Sequence, residues 1–136
     1  MTLIDAGPLV ALLDRRDPYH LRAAAAAAAL PAGPLATTWP CLVEAMYLLG
    51  RAAGWPGQDA LWAWVAAGQV VVREAGPGEA ARMAELMRAY RDLPMDLADA
   101  SLVAAAEATG WQQAFTLDSH FRAYRLQDGR TLDVVP

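Results

Sequence analysis

Lysine and asparagine are absent from this 136-residue chain, and cysteine occurs once. The lone Cys41 excludes an internal disulfide and any cysteine-rich metal site. No apolar run approaches the ~20 residues that span a bilayer. The opening stretch MTLIDAGPLVALLDRR has no basic segment ahead of its apolar part, and Asp5 interrupts that part, so no signal peptide is read there. These absences lead to the expectation of a cytoplasmic protein with no membrane segment. Positive charge is also short. The net charge is −4, so no global basic field draws the chain toward nucleic acid. All 11 basic residues are arginine. Arginine forks grip phosphates bidentately, but the missing Lys and Asn beside abundant Ala are read first as genome composition bias. Neither G-x-G-x-x-G nor G-x-x-x-x-G-K-[ST] occurs, which leaves nucleotide-binding readings weak.

What is present belongs to a folded chain. Apolar residues make up 56% and charged residues 19%. Residues 1–136 suit one domain with its own core. TLI at 2–4 is β-compatible and runs into the strand-to-helix turn Asp5-Ala-Gly-Pro. LVALLD follows as a helix with Pro8 in its first turn. Asp17-Pro18 resembles a helix start for an Ala-rich helix from about Tyr19 to Leu30. LATT at 35–38 reads as a short buried strand, and Pro40 opens a helix that ends near Gly50 or Gly54. WPGQDALWAWVAAGQ reads as a separate helix, QVVVRE at 69–74 as a strand, and GPGEAARMAELMRAY as an amphipathic helix. A helix from 96 to 109 stops at Gly110. Strands follow at 114–118 (AFTLD) and 130–135 (RTLDVV), with the turn SHF after the first. Strands alternating with helices point to a parallel sheet covered by helices.

The acids make this pattern interesting. In open α/β sheets, ligands bind outside the carboxyl ends of the strands. TLID ends at Asp5 and AFTLD ends at Asp118. If these strands are parallel neighbours, both carboxylates lie at one edge, and the helix start bearing Asp96 and Asp99 faces it too. Glu44 sits in a helix apolar on nearly every face, CLVEAMYLL, which is expected to be buried. A lone carboxylate there costs roughly several kcal/mol unless paired or coordinated. Each acid also has a plain structural role open to it. Asp5 can close an Asx-type turn, Asp96 can cap its helix with Asp99 at the third position, and Asp118 can be a turn residue. Asp99 is harder to explain so, because it falls on the core-facing stripe Asp99, Leu102, Val103, Ala106. Clustered carboxylates repel unless a hard cation neutralises them, and an all-oxygen set suits Mg²⁺ or Mn²⁺. That chemistry points to metal-assisted phosphodiester hydrolysis.

Four segments, LIDAGPLVALLD, TTWPCLVEAMYLL, MDLADASLVAAAE and AFTLDSHF, occur in an order and spacing that resembles the PIN-domain nucleases, specifically the VapC-type toxin ribonucleases. The resemblance covers essentially the whole chain. It implies a three-layer α/β/α domain with a central, mainly parallel sheet. It implies that Asp5, Glu44, Asp99 and Asp118 are catalytic and ligate the metal. Asp96 is then an extra ligand or a cap, and Thr116 a supporting hydrogen bonder. His120 stands where many members carry an acid or another polar residue. The implied activity is endonucleolytic cleavage of RNA with Mg²⁺ or Mn²⁺. The implied partners are a second copy of the chain and a small cognate antitoxin. Arg15, Arg16, Arg122 and Arg125 fall near the expected site, and a solvated-surface role is the plain reading of each. The five tryptophans are expected mostly in the core or a dimer interface; Trp62 and Trp64, two apart, cannot share a helix face.

Two rivals remain. One is a catalytically silent PIN-like module that only binds a partner. The other is a different metal-dependent phosphoryl enzyme. A receiver domain needs a lysine, which this chain lacks, and a D-x-D phosphatase motif is missing because Ala-Gly follows Asp5.

Overall fold

The computed structural model describes residues 1–136. Five strands form one sheet: β1 (Thr2–Ile4), β2 (Leu35–Thr38), β3 (Val70–Arg73), β4 (Gln113–Phe115) and β5 (Asp133–Val135). Their order across the sheet is β3-β2-β1-β4-β5, and every neighbouring pair is parallel. Five helices connect them: α1 (Ala6–Leu13), α2 (His20–Ala29), α3 (Trp39–Ala66), α4 (Glu79–Ala89) and α5 (Leu97–Thr109).

The period-2 alternation of strand side chains sorts the core into two layers. Leu3, Ala36 and Ala114 face one way and pack with α5, Leu86 of α4, Phe121 and Tyr124. Ile4 and Phe115 face the other way and pack with Leu9 and Val10 of α1, Ala23 and Ala26 of α2, and Leu42, Leu49 and Leu61 of α3. The three-layer α/β/α arrangement follows. From β1 the chain winds outward through β2 to β3. It then crosses back over the opposite face, through α4 and α5, to β4. The reversal falls between β1 and β4, and such a switch point opens a crevice at the strands' carboxyl ends.

The two helices expected between Pro40 and Gln69 are both present, joined end to end as α3 across a kink at Gly54, where the backbone is not helical. Gly54 has φ +66°, a left-handed conformation that glycine adopts without steric cost. Pro56 lies just beyond, in the first turn of the second helix, where its missing N–H removes no intrahelical bond. Asp17 does not cap α2: its Oδ1 accepts from the Tyr19 N–H, two residues on, and the helix starts at His20. Strand β4 stops at Phe115, so Thr116, Leu117 and Asp118 lie past its end. Strand β5 covers only Asp133–Val135.

Candidate active site

Asp5 stands where β1 gives way to α1. Its backbone is still extended, φ −83° and ψ 167°, and its Oδ1 accepts the Ala6 N–H at 2.7 Å, so it is the N-cap of α1. Its Oδ2 accepts the Thr116 hydroxyl at 2.8 Å, across the β1–β4 switch point. Thr116 Oγ1 in turn accepts the Asp118 N–H at 3.0 Å. One threonine past the end of β4 therefore ties the first acid of the chain to the last. Burial pushes the Asp5 carboxyl up, the Thr116 and Ala6 bonds pull it back, and the charges of Asp96 and Asp118 raise it further.

Helix α5 supplies two more acids. Asp96 is its N-cap, with Oδ1 accepting the Asp99 N–H at 2.8 Å. The side chain is exposed, as a cap at the rim should be. Asp99 is buried, 8% accessible, and its Oδ2 accepts the Tyr124 hydroxyl at 2.9 Å. Burial, then the charge of Asp96, push its carboxyl up to about 7, with smaller contributions from Asp5 and Asp118. Asp96→Ala is expected to cost about 1 kcal/mol in urea unfolding, the usual loss of a helix cap. Asp96→Asn keeps the cap acceptor and should cost far less, so lost activity with intact stability in that variant would mark a role for the charge itself.

Asp118 caps the 3-10 turn Ser119–Arg122, with Oδ1 accepting the His120 N–H at 2.9 Å. The His120 Nδ1 lies 3.3 Å from the same oxygen. Both side chains are partly exposed.

Glu44 requires a correction. The first half of α3 is not buried all round: Val43 is 65% and Tyr47 60% accessible, and Trp39 and Leu48 are also exposed. Glu44 itself is half-buried, at the border between that open face and the core. Burial and then the charges of Asp96 and Asp5 raise its carboxyl. It therefore faces the same field as the other acids, without being the isolated core charge the apolar sequence around it suggests.

The structure thus links Asp5, Asp96, Asp99 and Asp118 through their charges, and Glu44 joins them through Asp96 and Asp5. Asp5, Glu44, Asp96 and Asp99 take part in none of the molecule's ion pairs, and Asp118 meets only His120. The chain's other acids behave differently. Glu79 is clamped by Arg73, and Glu107 by Arg82. No three of the acids close into a ready-made ligating cage. An open, all-oxygen set still fits Mg²⁺ or Mn²⁺, because such an ion keeps several waters and is completed by substrate phosphates.

Of the four arginines expected near the site, three are anchored locally. Arg16 donates to Ala52 O, Arg122 to Pro136 O, and Arg125 to the carbonyls of residues 122–124, while Arg15 is exposed. Trp39, Trp55 and Trp62 are exposed, whereas Trp64 and Trp111 pack against the two cores. Two buried side chains escaped the sequence reading. Tyr124 holds Asp99, and Cys41 Sγ lies 3.5 Å from Ala98 O and 3.8 Å from Asp5 Oδ1. The hydroxyls of Thr38 and Ser101, 2.6 Å apart, brace α3 against α5 beneath the site. The acid spacing gave no signal for Tyr124, since its role depends on a loop returning under α5.

A parallel sheet of this order, with acids gathered at its switch point, defines a class: α/β domains whose chemistry lies at the strands' carboxyl edge. This chain belongs to the PIN-domain family, whose model matches residues 2–126. No curated protein matches the sequence. Among solved structures it is similar to VapC20 of Mycobacterium tuberculosis, described as a sarcin-ricin loop cleaving toxin. That match is 22% identical, covers 100% of both chains and has a TM-score of 0.85. It is also similar to VapBC2 from Rickettsia felis, solved bound to a DNA fragment from their promoter, at 13% identity and TM-score 0.65 over 99% of this chain and 98% of that one. FitAcB from Neisseria gonorrhoeae matches at 18% identity and TM-score 0.56, over 88% of each chain. At these identities the likeness is one of fold.

Proposed function

We propose that this protein is a divalent-metal-dependent endoribonuclease, hydrolysing RNA phosphodiester bonds as the toxin of a type II toxin–antitoxin pair. The observation that carries the reading is the set Asp5, Glu44, Asp96, Asp99 and Asp118, gathered at one sheet edge with no arginine among them. A hard cation there would activate a water and offset charge on the attacking and leaving oxygens. The protein's own part is positioning. Asp5 is fixed through both oxygens, by Ala6 and Thr116, and so gives the pocket a rigid floor. Asp99 is fixed through one oxygen, by Tyr124. Asp118 and Glu44 stand at the open side, where they can adjust to substrate. The α5 N-terminus adds a favourable dipole for the phosphate that must approach this acidic edge.

The likeness to VapC20, whose description names a cleaving toxin, supports the reading, as do the VapBC2 and FitAcB structures for an antitoxin partner. Trp39, Val43 and Tyr47 repeat every four residues on α3 and form an exposed apolar stripe with Leu48. That stripe suits a protein surface, either a second copy of the chain or the antitoxin, and we place the homodimer contact among its uses. An antitoxin basic side chain among the acids would block the metal.

The silent-module reading has one observation in its favour: Asp5, Asp96 and Asp118 all serve as N-caps. Capping accounts for neither Glu44 nor the buried Asp99. The two readings separate in a simple assay. Purified protein incubated with RNA is expected to cleave it with added Mg²⁺ or Mn²⁺ and to stop when chelator is in excess. Cleavage that persists undiminished in chelator would overturn the metal-dependent reading, and no cleavage under any condition would favour the silent module.

A further inference from the structure

Tyr124 is 1% accessible, yet its hydroxyl reaches the candidate site. The ring is held between two other aromatics in edge-to-face contact, Tyr90 at 5.1 Å and Phe121 at 5.2 Å between centroids. Tyr90 is itself pinned, its hydroxyl accepting the Arg125 N–H at 2.8 Å. The phenol therefore has little freedom, and its one hydrogen bond goes to Asp99 Oδ2. No hydrogen bond engages Asp99 Oδ1, and no buried side-chain oxygen lacks a partner, so Oδ1 is the oxygen that meets solvent at the edge. Nothing else grips the Asp99 carboxylate: its backbone N–H is used by Asp96, and no arginine is near.

We propose that Tyr124 is a positioning residue, which ties back one oxygen of Asp99 so that the other is presented to the divalent ion in a fixed orientation. The inference rests on the metal-dependent reading above and names a residue by which this chain would tune the ion's affinity. Groups that orient a ligating carboxylate change metal affinity by roughly 10–100-fold when removed. A donor on one carboxylate oxygen also favours the other oxygen as the one offered to the metal. A chain that spends a buried tyrosine this way gains a defined ligand geometry from an acid that would otherwise swing at a helix start.

The test is Mn²⁺ titration of the full-length wild type and Tyr124→Phe, followed by calorimetry and by water-proton relaxation, neither of which needs activity. Phe keeps the ring between Tyr90 and Phe121, so the fold is preserved, which circular dichroism checks. Tyr90→Phe is the packing control, since its hydroxyl does not touch Asp99. The expected result is a Mn²⁺ dissociation constant raised roughly 10–100-fold in Tyr124→Phe and unchanged within twofold in Tyr90→Phe. In cleavage assays kcat at saturating Mn²⁺ should fall in Tyr124→Phe, while the KM for RNA stays within twofold. Equal Mn²⁺ affinity in wild type and Tyr124→Phe would overturn the positioning role while leaving the metal reading standing. Equal weakening by Tyr90→Phe would assign the effect to packing and overturn it as well. A wild type that binds no Mn²⁺ would overturn both readings at once.

Discussion

Asp99→Asn is expected to cut RNA cleavage by roughly 10²–10³-fold, the scale on which the loss of one preorganised electrostatic group acts. The same substitution should make the metal-free protein more stable at pH 8. Asparagine is nearly isosteric with aspartate and retains an oxygen that can accept the Tyr124 hydroxyl. The Asp96 cap, which uses the residue's backbone N–H, is untouched. What disappears is a buried charge that faces Asp96, Asp5 and Asp118. Removing a like charge from such a set relieves repulsion. A purely structural Asp99 predicts the opposite. It would then be only a first-turn acid favouring the α5 dipole, worth about 0.3–1 kcal/mol, and its loss would lower the thermal midpoint and spare any activity. The paired readout, cleavage rate and midpoint on the same preparation, separates the two. Retained cleavage together with a lowered midpoint would remove Asp99 from the site.

The acids' meeting place was legible because it depends on topology more than on detail. Asp5 just past β1, Asp118 three residues past β4, and Asp96 and Asp99 at the start of α5 come to one edge wherever β1 and β4 are parallel neighbours, and they are. The short buried strand expected at LATT, 35–38, is β2, with Ala36, Thr37 and Thr38 buried. The break between two helices at Gly54 was legible from Gly54 and Pro56 themselves, although Leu49 and Leu61 on its two sides pack into one core. Glu44 was misjudged because an apolar sequence was taken for a buried one, and the exposed Val43, Tyr47 and Leu48 show that this part of α3 is not buried all round. Tyr124 lay out of reach for another reason. Its value comes from three aromatics meeting under α5, and Tyr90 is thirty-four residues away in the sequence.

Stability in chelator is expected to fall as pH rises from 5 to 8, and added Mn²⁺ should reverse the fall. Asp5, Glu44 and Asp99 all hold their protons more tightly folded than unfolded, chiefly through burial, with the charge of Asp96 adding to it in each. For Asp99 the folded group titrates at about 7, against an ordinary value of 3.8. Between those values the native state binds more protons than the unfolded state. Unfolding free energy then decreases as pH rises, and the decrease is complete once pH passes about 7. Glu79 and Asp128, lowered by Arg73 and Arg130, act in the opposite sense, but they titrate below the ordinary carboxylate range and leave the window from 5 to 8 clear. A divalent ion that binds only the folded protein adds about 2.7 kcal/mol at a hundred times its dissociation constant. It binds best where the carboxylates are ionised, so its gain is largest at pH 8, where the metal-free protein is weakest. Thermal midpoints at pH 5, 6, 7 and 8, with chelator and with Mn²⁺, therefore form two curves of opposite slope. Asp99→Asn should flatten the first and weaken the second. A wild-type midpoint in chelator that stays level or climbs across this range would mean the acids do not share one field, and the nuclease reading would lose its physical basis.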